Sequence, residues 1–337
     1  MELPLRPLGS SGLRISAVGL GAWAMGGAGW RNTRGAQDDA DSRAVIRHAI
    51  DSGVNWIDTA AVYGLGHAEE VVAEALAGIP SSRRPLIFTK GGLTWSVEDP
   101  MAPQVFDSRP ETIRRECEAS LRRLRADHID LYQLHWPDEI GTPVEESWGE
   151  MARLADEGKV RAIGMSNYPI ELLERCERVR HVDSVQSQFN MIRREAAGDV
   201  IPWCKAHGTG TINYRPMMIG LLTDGFTRER IDRSRQDWRD QFPDFDEPRL
   251  SRNLALRDAL RPMARRHGVT IAALAVAWAV AWPGATGAIA GARSPEQIDG
   301  WVSGATIELS DADLDEIAQE IETTGAGDGP LRPNSRR

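Results

Sequence analysis

The chain has 337 residues, 41% hydrophobic and 26% charged, the make-up of a folded globular protein, which sets aside collagen-like, disordered and disulfide-stapled classes. Its net charge of −9 gives the surface as a whole no electrostatic reason to bind nucleic acid or an anionic membrane, so a small molecule is the expected partner. Cys117, Cys176 and Cys204 lie far apart without a Cys-x-x-Cys pair, which gives neither a disulfide framework nor a thiolate metal site.

The N-terminus, MELPLRPLGS, has no basic start followed by an apolar run, so no secretory leader is visible and the cytoplasm is the expected compartment. LPLRPL and LRIS flank Gly9-Ser10-Ser11-Gly12, which predicts a small hairpin over residues 1–15 that could plug a barrel bottom. Short β-rich apolar runs then recur at 16–20, 54–58, 85–89, 129–134, 160–165, 183–188, 211–214 and 285–290. Between them lie helical patterns with glycine stops, such as Val45, Ile46, Ala49 and Ile50 before Gly53, and Val71, Val72, Ala75 and Leu76 before Gly78. Strands alternating with helices imply a parallel sheet, and eight such units is the count at which it closes into a (β/α)₈ barrel; an open doubly wound sheet is the alternative. The longest apolar run, Val269–Trp282, is too short to span a bilayer and reads as a buried helix. Residues 224–250 are polar and lack an apolar face, which predicts a long loop over the top of a single barrel domain, a possible lid. The tail 323–337, rich in Gly, Pro and Arg, has nothing to bury and is expected to be mobile.

In such a barrel function stands at the C-terminal ends of the strands. Asp58 and Tyr63 follow the second run, Lys90 ends the third, and His135 ends the fourth. Only three of the forty basic residues are lysines, which makes Lys90 harder to dismiss as surface decoration. Singly, each residue has a plainer reading as a helix cap, a rim aromatic or a solvated strand end. Together a carboxylate, an ammonium and a phenol form a set that can lower a tyrosine pKa from about 10 toward neutrality. Two decoys stand nearby. Gly19-Leu20-Gly21-Ala22-Trp23-Ala24 fits G-x-G-x-x-A but does not open a helix, and His67-Ala68-Glu69-Glu70 lacks the second histidine of a zinc motif. No metal is expected.

The segments VNWIDTAAVYG, FTKGG, LYQLHWPD, VRAIGMSN, SVQSQFN, NYRPMMIGLLT and AIAGARSPEQI, in that order, resemble the aldo-keto reductases over residues 5 to 305. The resemblance implies a (β/α)₈ barrel that interconverts carbonyls and alcohols with NADP(H), NADH being less favoured. It places a catalytic tetrad on Asp58, Tyr63, Lys90 and His135, with Tyr63 as general acid and His135 orienting the carbonyl. It implies that Ser166, Asn167 and Gln186 hold the nicotinamide carboxamide and that Tyr214 stacks on its ring. Gly220, Leu221 and Leu222 would offer amides to the pyrophosphate, Arg293, Ser294 and Gln297 would grip the adenosine end, and Gly21, Ala22, Trp23 and Arg215 complete the cofactor set. Arg293 suits a 2′-phosphate.

The chain also departs from the family's commoner pattern. Arg215 stands where a small or hydroxyl residue is usual, Gly291-Ala292 replaces a Lys-Ser pair, and Trp301 replaces a frequent asparagine. These departures bear on cofactor grip and on the choice between NADPH and NADH. Trp23, Trp30, Trp95 and Trp136 either line an aromatic substrate pocket or pack the rim. Two rival functions are a Schiff-base lyase built on Lys90 and a cofactor-binding regulatory subunit of the same fold, as some family members are beside membrane channels.

Overall fold

The computed structural model describes residues 2–229 and 238–333. An antiparallel pair, β1 (Leu5–Pro7) and β2 (Arg14–Ser16), precedes the barrel. Barrel strands β3 (Val18–Gly21), β4 (Trp56–Asp58) and β5 (Leu86–Gly91) follow, then a short antiparallel pair, β6 (Leu93–Thr94) and β7 (Val105–Phe106). The remaining barrel strands are β8 (Ile129–Leu134), β9 (Val160–Ser166), β10 (Ser184–Gln186), β11 (Gly210–Tyr214) and β12 (Gly287–Gly291). The eight barrel strands pair in parallel and close, with β12 beside β3, so the chain is a (β/α)₈ barrel and the open sheet is excluded. Among the intervening helices, Ile271–Ala281 is the apolar run read as a buried helix; each of its residues from Ile271 to Val280 is buried.

The hairpin closes the bottom. Leu8, Leu13 and Ile15 pack against Trp56, Phe88, Leu131 and Ile212 from inside the barrel. Gly9 sits at φ +55 with the β11 backbone so close that a Cβ would lie 2.3 Å from Gly210 N, which leaves no residue but glycine at this turn.

Strand alternation then sets the floor of the site. Trp56, Phe88, Leu131 and Ile212 form an apolar layer, and the residues two further along the same faces are Asp58, Lys90, Gln133 and Tyr214. One period of pleat thus separates hydrophobic floor from polar chemistry.

Two expectations need correction. The 224–250 segment does have an apolar side: Phe226, Phe245 and Leu250 are buried, the two rings meet edge to face at 5.8 Å, and Arg193 pairs with the buried Asp244 at 2.9 Å. Its residues 230–237 lie outside the described residues. The tail does bury groups. Ala326 is buried, and the enclosed Arg194 donates to the Met191 carbonyl, to Ala326 O at 3.1 Å and to Pro330 O at 3.0 Å. Composition misleads here because the docking uses backbone carbonyls rather than apolar side chains. Residues 334–337 lie outside the described residues.

Arg194→Met should therefore cost about 3 kcal/mol, because it strands buried carbonyls that a charged donor satisfied. Chemical denaturation measures the loss, and limited proteolysis should find the chain after Thr324 cut first. Unchanged stability would show that the tail is held by other contacts.

Candidate active site

Asp58, Lys90 and His135 are buried at or just past the ends of β4, β5 and β8, and half-buried Tyr63 lies in the loop after β4. Lys90 Nζ is 2.5 Å from Asp58 Oδ1 and donates to Thr59 O at 2.9 Å. The same ammonium stands 5.3 Å from the centroid of the Tyr63 ring. Tyr63 meets His135 edge-on at 5.8 Å and is stacked on its other side by Trp23 at 6.2 Å. The other Asp58 oxygen accepts from Gln186 Nε2 at 2.8 Å and from Gln133 Nε2 at 3.4 Å, so the buried carboxylate is enclosed by donors.

Further bonds hold this set from outside. Glu69, the acid of the rejected zinc motif, accepts from Thr89 Oγ1 and from Arg123 Nε, both at 2.6 Å, and so ties the helix His67–Leu76 to β5 and to the helix Pro110–Leu124 beside Lys90. Glu116 accepts from Gly92 N at 2.6 Å, and burial pushes its carboxyl up to about 8, leaving it a neutral acid that pins the turn after Lys90. Asn167, at φ +66, donates to His135 O at 3.2 Å and to Ser166 Oγ at 2.9 Å and accepts from the Tyr214 hydroxyl at 2.8 Å.

The electrostatics correct one expectation. Burial raises the Tyr63 hydroxyl and Lys90 lowers it, Asp58 raises it again, and the net direction is above the ordinary range rather than toward neutrality. Tyr63 is a neutral phenol at pH 7. Burial pulls the Lys90 ammonium down, but Asp58 and Tyr63 outweigh that and leave it above its usual value. His135 is held well below the usual histidine range by burial and then by the Lys90 charge, so its imidazole is neutral at pH 7.

Above these groups opens a groove of about 800 Å³. Gly21, Ala22, Trp23, Asp58, Tyr63, His135, Ser166, Asn167, Gln186, Tyr214, Arg215, Gly220, Arg293 and Gln297 all line it, with Lys90 bonded to Asp58 below them; Trp30, Trp136 and Trp301 line it as well, and Trp95 does not.

A family model described as the Aldo/keto reductase family matches residues 17–322. The chain belongs to the aldo/keto reductase family. It is 35% identical over 98% of both chains to the "Aldo-keto reductase YhdN" of Bacillus subtilis, and 31% identical to the "NADH-specific methylglyoxal reductase" of Escherichia coli over 94% of this chain and 98% of that one. Its structure is similar to that of the glycerol dehydrogenase AKR11B4 from Gluconobacter oxydans, with a TM-score of 0.86 and 35% identity over 99% of this chain and 98% of that one.

Within this aldo/keto reductase, several residues implied by the resemblance are placed differently. Leu221, Leu222 and Ser294 do not line the groove, and the amides of Gly220, Leu221 and Leu222 donate to Met217 and Met218 carbonyls at 3.0 to 3.1 Å within their own turn. Arg293 donates to Gln37 Oε1 at 2.8 Å, to Arg34 O at 3.3 Å and to Ala36 O, and so holds the loop after β3. Gln186 is turned toward Asp58. Gln133 was overlooked, although its place two residues before His135 puts it on the same face of β8.

His135 should show no protonation near pH 6.5, remaining neutral well below it, and Lys90→Met should raise its pKa because the neighbouring cation is gone. Nitrogen NMR of the imidazoles measures both. A wild-type His135 titrating at an ordinary pKa would contradict the buried, cation-flanked geometry.

Proposed function

We propose that this aldo/keto reductase interconverts aldehydes or ketones and alcohols by hydride transfer with NADP(H), Tyr63 acting as the general acid. The observation that carries the reading is the enclosed Lys90–Asp58 pair lying under a neutral phenol that shares the groove with a neutral imidazole. A soluble cytoplasmic setting is part of the same proposal.

The groove fits a nicotinamide dinucleotide on the chemistry of its walls. The Tyr214 ring offers a stacking face, Ser166 and Asn167 offer polar groups beside it, and Arg293 and Gln297 stand in the same groove. Held by these residues, a reduced dinucleotide would supply the hydride for the carbonyl carbon. Tyr63 delivers the proton to the carbonyl oxygen, and the phenolate left behind is stabilised by Lys90. Asp58 fixes Lys90 in place, and Gln186 and Gln133 fix Asp58. His135, uncharged, orients the carbonyl oxygen through a hydrogen bond without competing for the proton. Trp23, Trp30 and Trp136 give the remainder an apolar wall.

The choice of NADP(H) over NADH rests on Arg293 and requires it to exchange its bonds to the 34–37 loop for a 2′-phosphate. The relative from Escherichia coli bears an NADH-specific name, so the two cofactors need direct comparison. A lyase reading is disfavoured because Lys90 is a charged ammonium enclosed by Asp58 and Thr59 O, not a free amine nucleophile.

The wild-type chain should consume NADPH, and NADH less well, with at least some members of a panel of aldehydes, keto-sugars and ketones. Tyr63→Phe should then lower carbonyl reduction by roughly 10² to 10⁴, while NADPH binding measured by fluorescence changes little. Near wild-type turnover in Tyr63→Phe would move the acid to His135, and silence across the whole panel would defeat the reductase reading.

A further inference from the structure

Arg215 is a groove-lining cation that this mechanism leaves unused, as are Arg34 and Arg239. It follows Tyr214 at the end of β11 with φ +60, an unfavourable backbone for a residue with a Cβ, and the fully buried Asn190 secures it by donating to Arg215 O at 3.0 Å. Its guanidinium carbon lies 4.6 Å from the Phe242 ring centroid and 5.4 Å from those of Trp23 and Tyr214. Three aromatic walls thus hold the charge at the groove surface.

What the guanidinium lacks is an anion. Among the described residues its buried Nε has no hydrogen-bond partner, and its one side-chain bond is a 3.4 Å contact to Gln188 Oε1. Among the described residues no carboxylate pairs with it. Other enclosed arginines are matched: Arg123 with Glu69 at 2.6 Å, Arg193 with Asp244 at 2.9 Å, and Arg194 with a ring of carbonyls. Arg293, which shares the groove, is likewise occupied by the 34–37 loop. A partly buried cation without a carboxylate partner is costly, and such a group on a groove wall suits a ligand that supplies the countercharge. Burial also draws the Arg215 pKa below its usual value, as an absent counterion would.

Its position favours the carbonyl compound over the far end of the dinucleotide. Trp23, which walls Arg215 on one side, is itself stacked on Tyr63. We propose that Arg215 is an oxyanion receptor for the substrate, and that the substrate class is carbonyl compounds bearing a carboxylate or a phosphate. This inference rests on the reductase reading of the same groove.

The test compares kcat/KM on matched pairs, succinic semialdehyde against butanal and glyceraldehyde 3-phosphate against glyceraldehyde, in wild type, Arg215→Met and Arg215→Lys. The acidic-to-neutral ratio of at least one pair should fall by about 10- to 150-fold in Arg215→Met and recover in part in Arg215→Lys. The pair that responds tells carboxylate from phosphate. Calorimetry with succinate and glycerol 3-phosphate supplies a readout free of turnover: at least one should bind wild type and neither Arg215→Met, with thermal melts confirming that the variants fold. Ratios unchanged in both pairs overturn the proposal. So does an equal rise in the Kd of NADPH and NADH with unchanged ratios, which assigns Arg215 to the dinucleotide diphosphate. If wild type reduces nothing yet binds a small acid through Arg215, the reductase reading falls and the receptor stands.

Discussion

The buried ion pair between Lys90 and Asp58 is the constraint around which the upper half of the barrel is arranged. Removing two charges from water costs several kcal/mol each, and their mutual attraction offsets this only when geometry is tight and the remaining donors and acceptors are satisfied. Here the pair is 2.5 Å long, Thr59 O takes a second proton of the ammonium, and Gln186 and Gln133 occupy the other carboxylate oxygen. Those partners come from β4, β5, β8 and β10, or the residue just past them, which only a closed parallel barrel brings to one point. The apolar floor of Trp56, Phe88, Leu131 and Ile212, sealed from below by the hairpin, keeps water from reaching the pair from the other end.

Within the pair it is Lys90 that acts on both neighbours in one direction, while Asp58 opposes it at Tyr63. A fixed cation above a dry floor favours the deprotonated form of whatever titrates beside it, which lowers His135 and works against the rise that burial imposes on Tyr63. Apart from the arginines of the groove wall, the resting cluster is therefore electrically simple, with one paired cation, one neutral acid and one neutral imidazole. That state holds the proton that the proposed carbonyl reduction requires. Glu69 and Glu116, which touch none of these rings, hold the strand and turn that carry Lys90.

Most of the fold was legible because it rests on local patterns. All eight barrel strands were visible as apolar runs, and the run at 269–282 was legible as a buried helix by its length and alanine content. The catalytic candidates were legible because reactive residues stood at successive strand ends. What escaped depends on contacts between distant segments. A Gly and Pro-rich tail shows no apolar side chains, so its docking on Arg194 through carbonyls left no trace in composition. Nothing in GLL, residues 220–222, reveals that its amides are spent within their own turn, or that Arg293 is engaged by a loop more than 250 residues earlier. The Tyr63 pKa was misjudged because the partners were readable from sequence and the depth of burial was not.

Membership in the aldo/keto reductase family fixes the scaffold, while Arg215, which departs from the family's commoner pattern, stands between three rings on the groove wall. The central claim is narrower: that Asp58 and Lys90 matter to the chemistry through the proton of Tyr63. A double-mutant cycle of Asp58→Asn and Tyr63→Phe, scored by kcat/KM for carbonyl reduction, tests it most directly. Asp58→Asn alone should lower the rate by about tenfold or more, and in the Tyr63→Phe background it should add less than about threefold. Full additivity of the two losses would show that Asp58 supports activity by a route that bypasses the tyrosine, and would contradict the account.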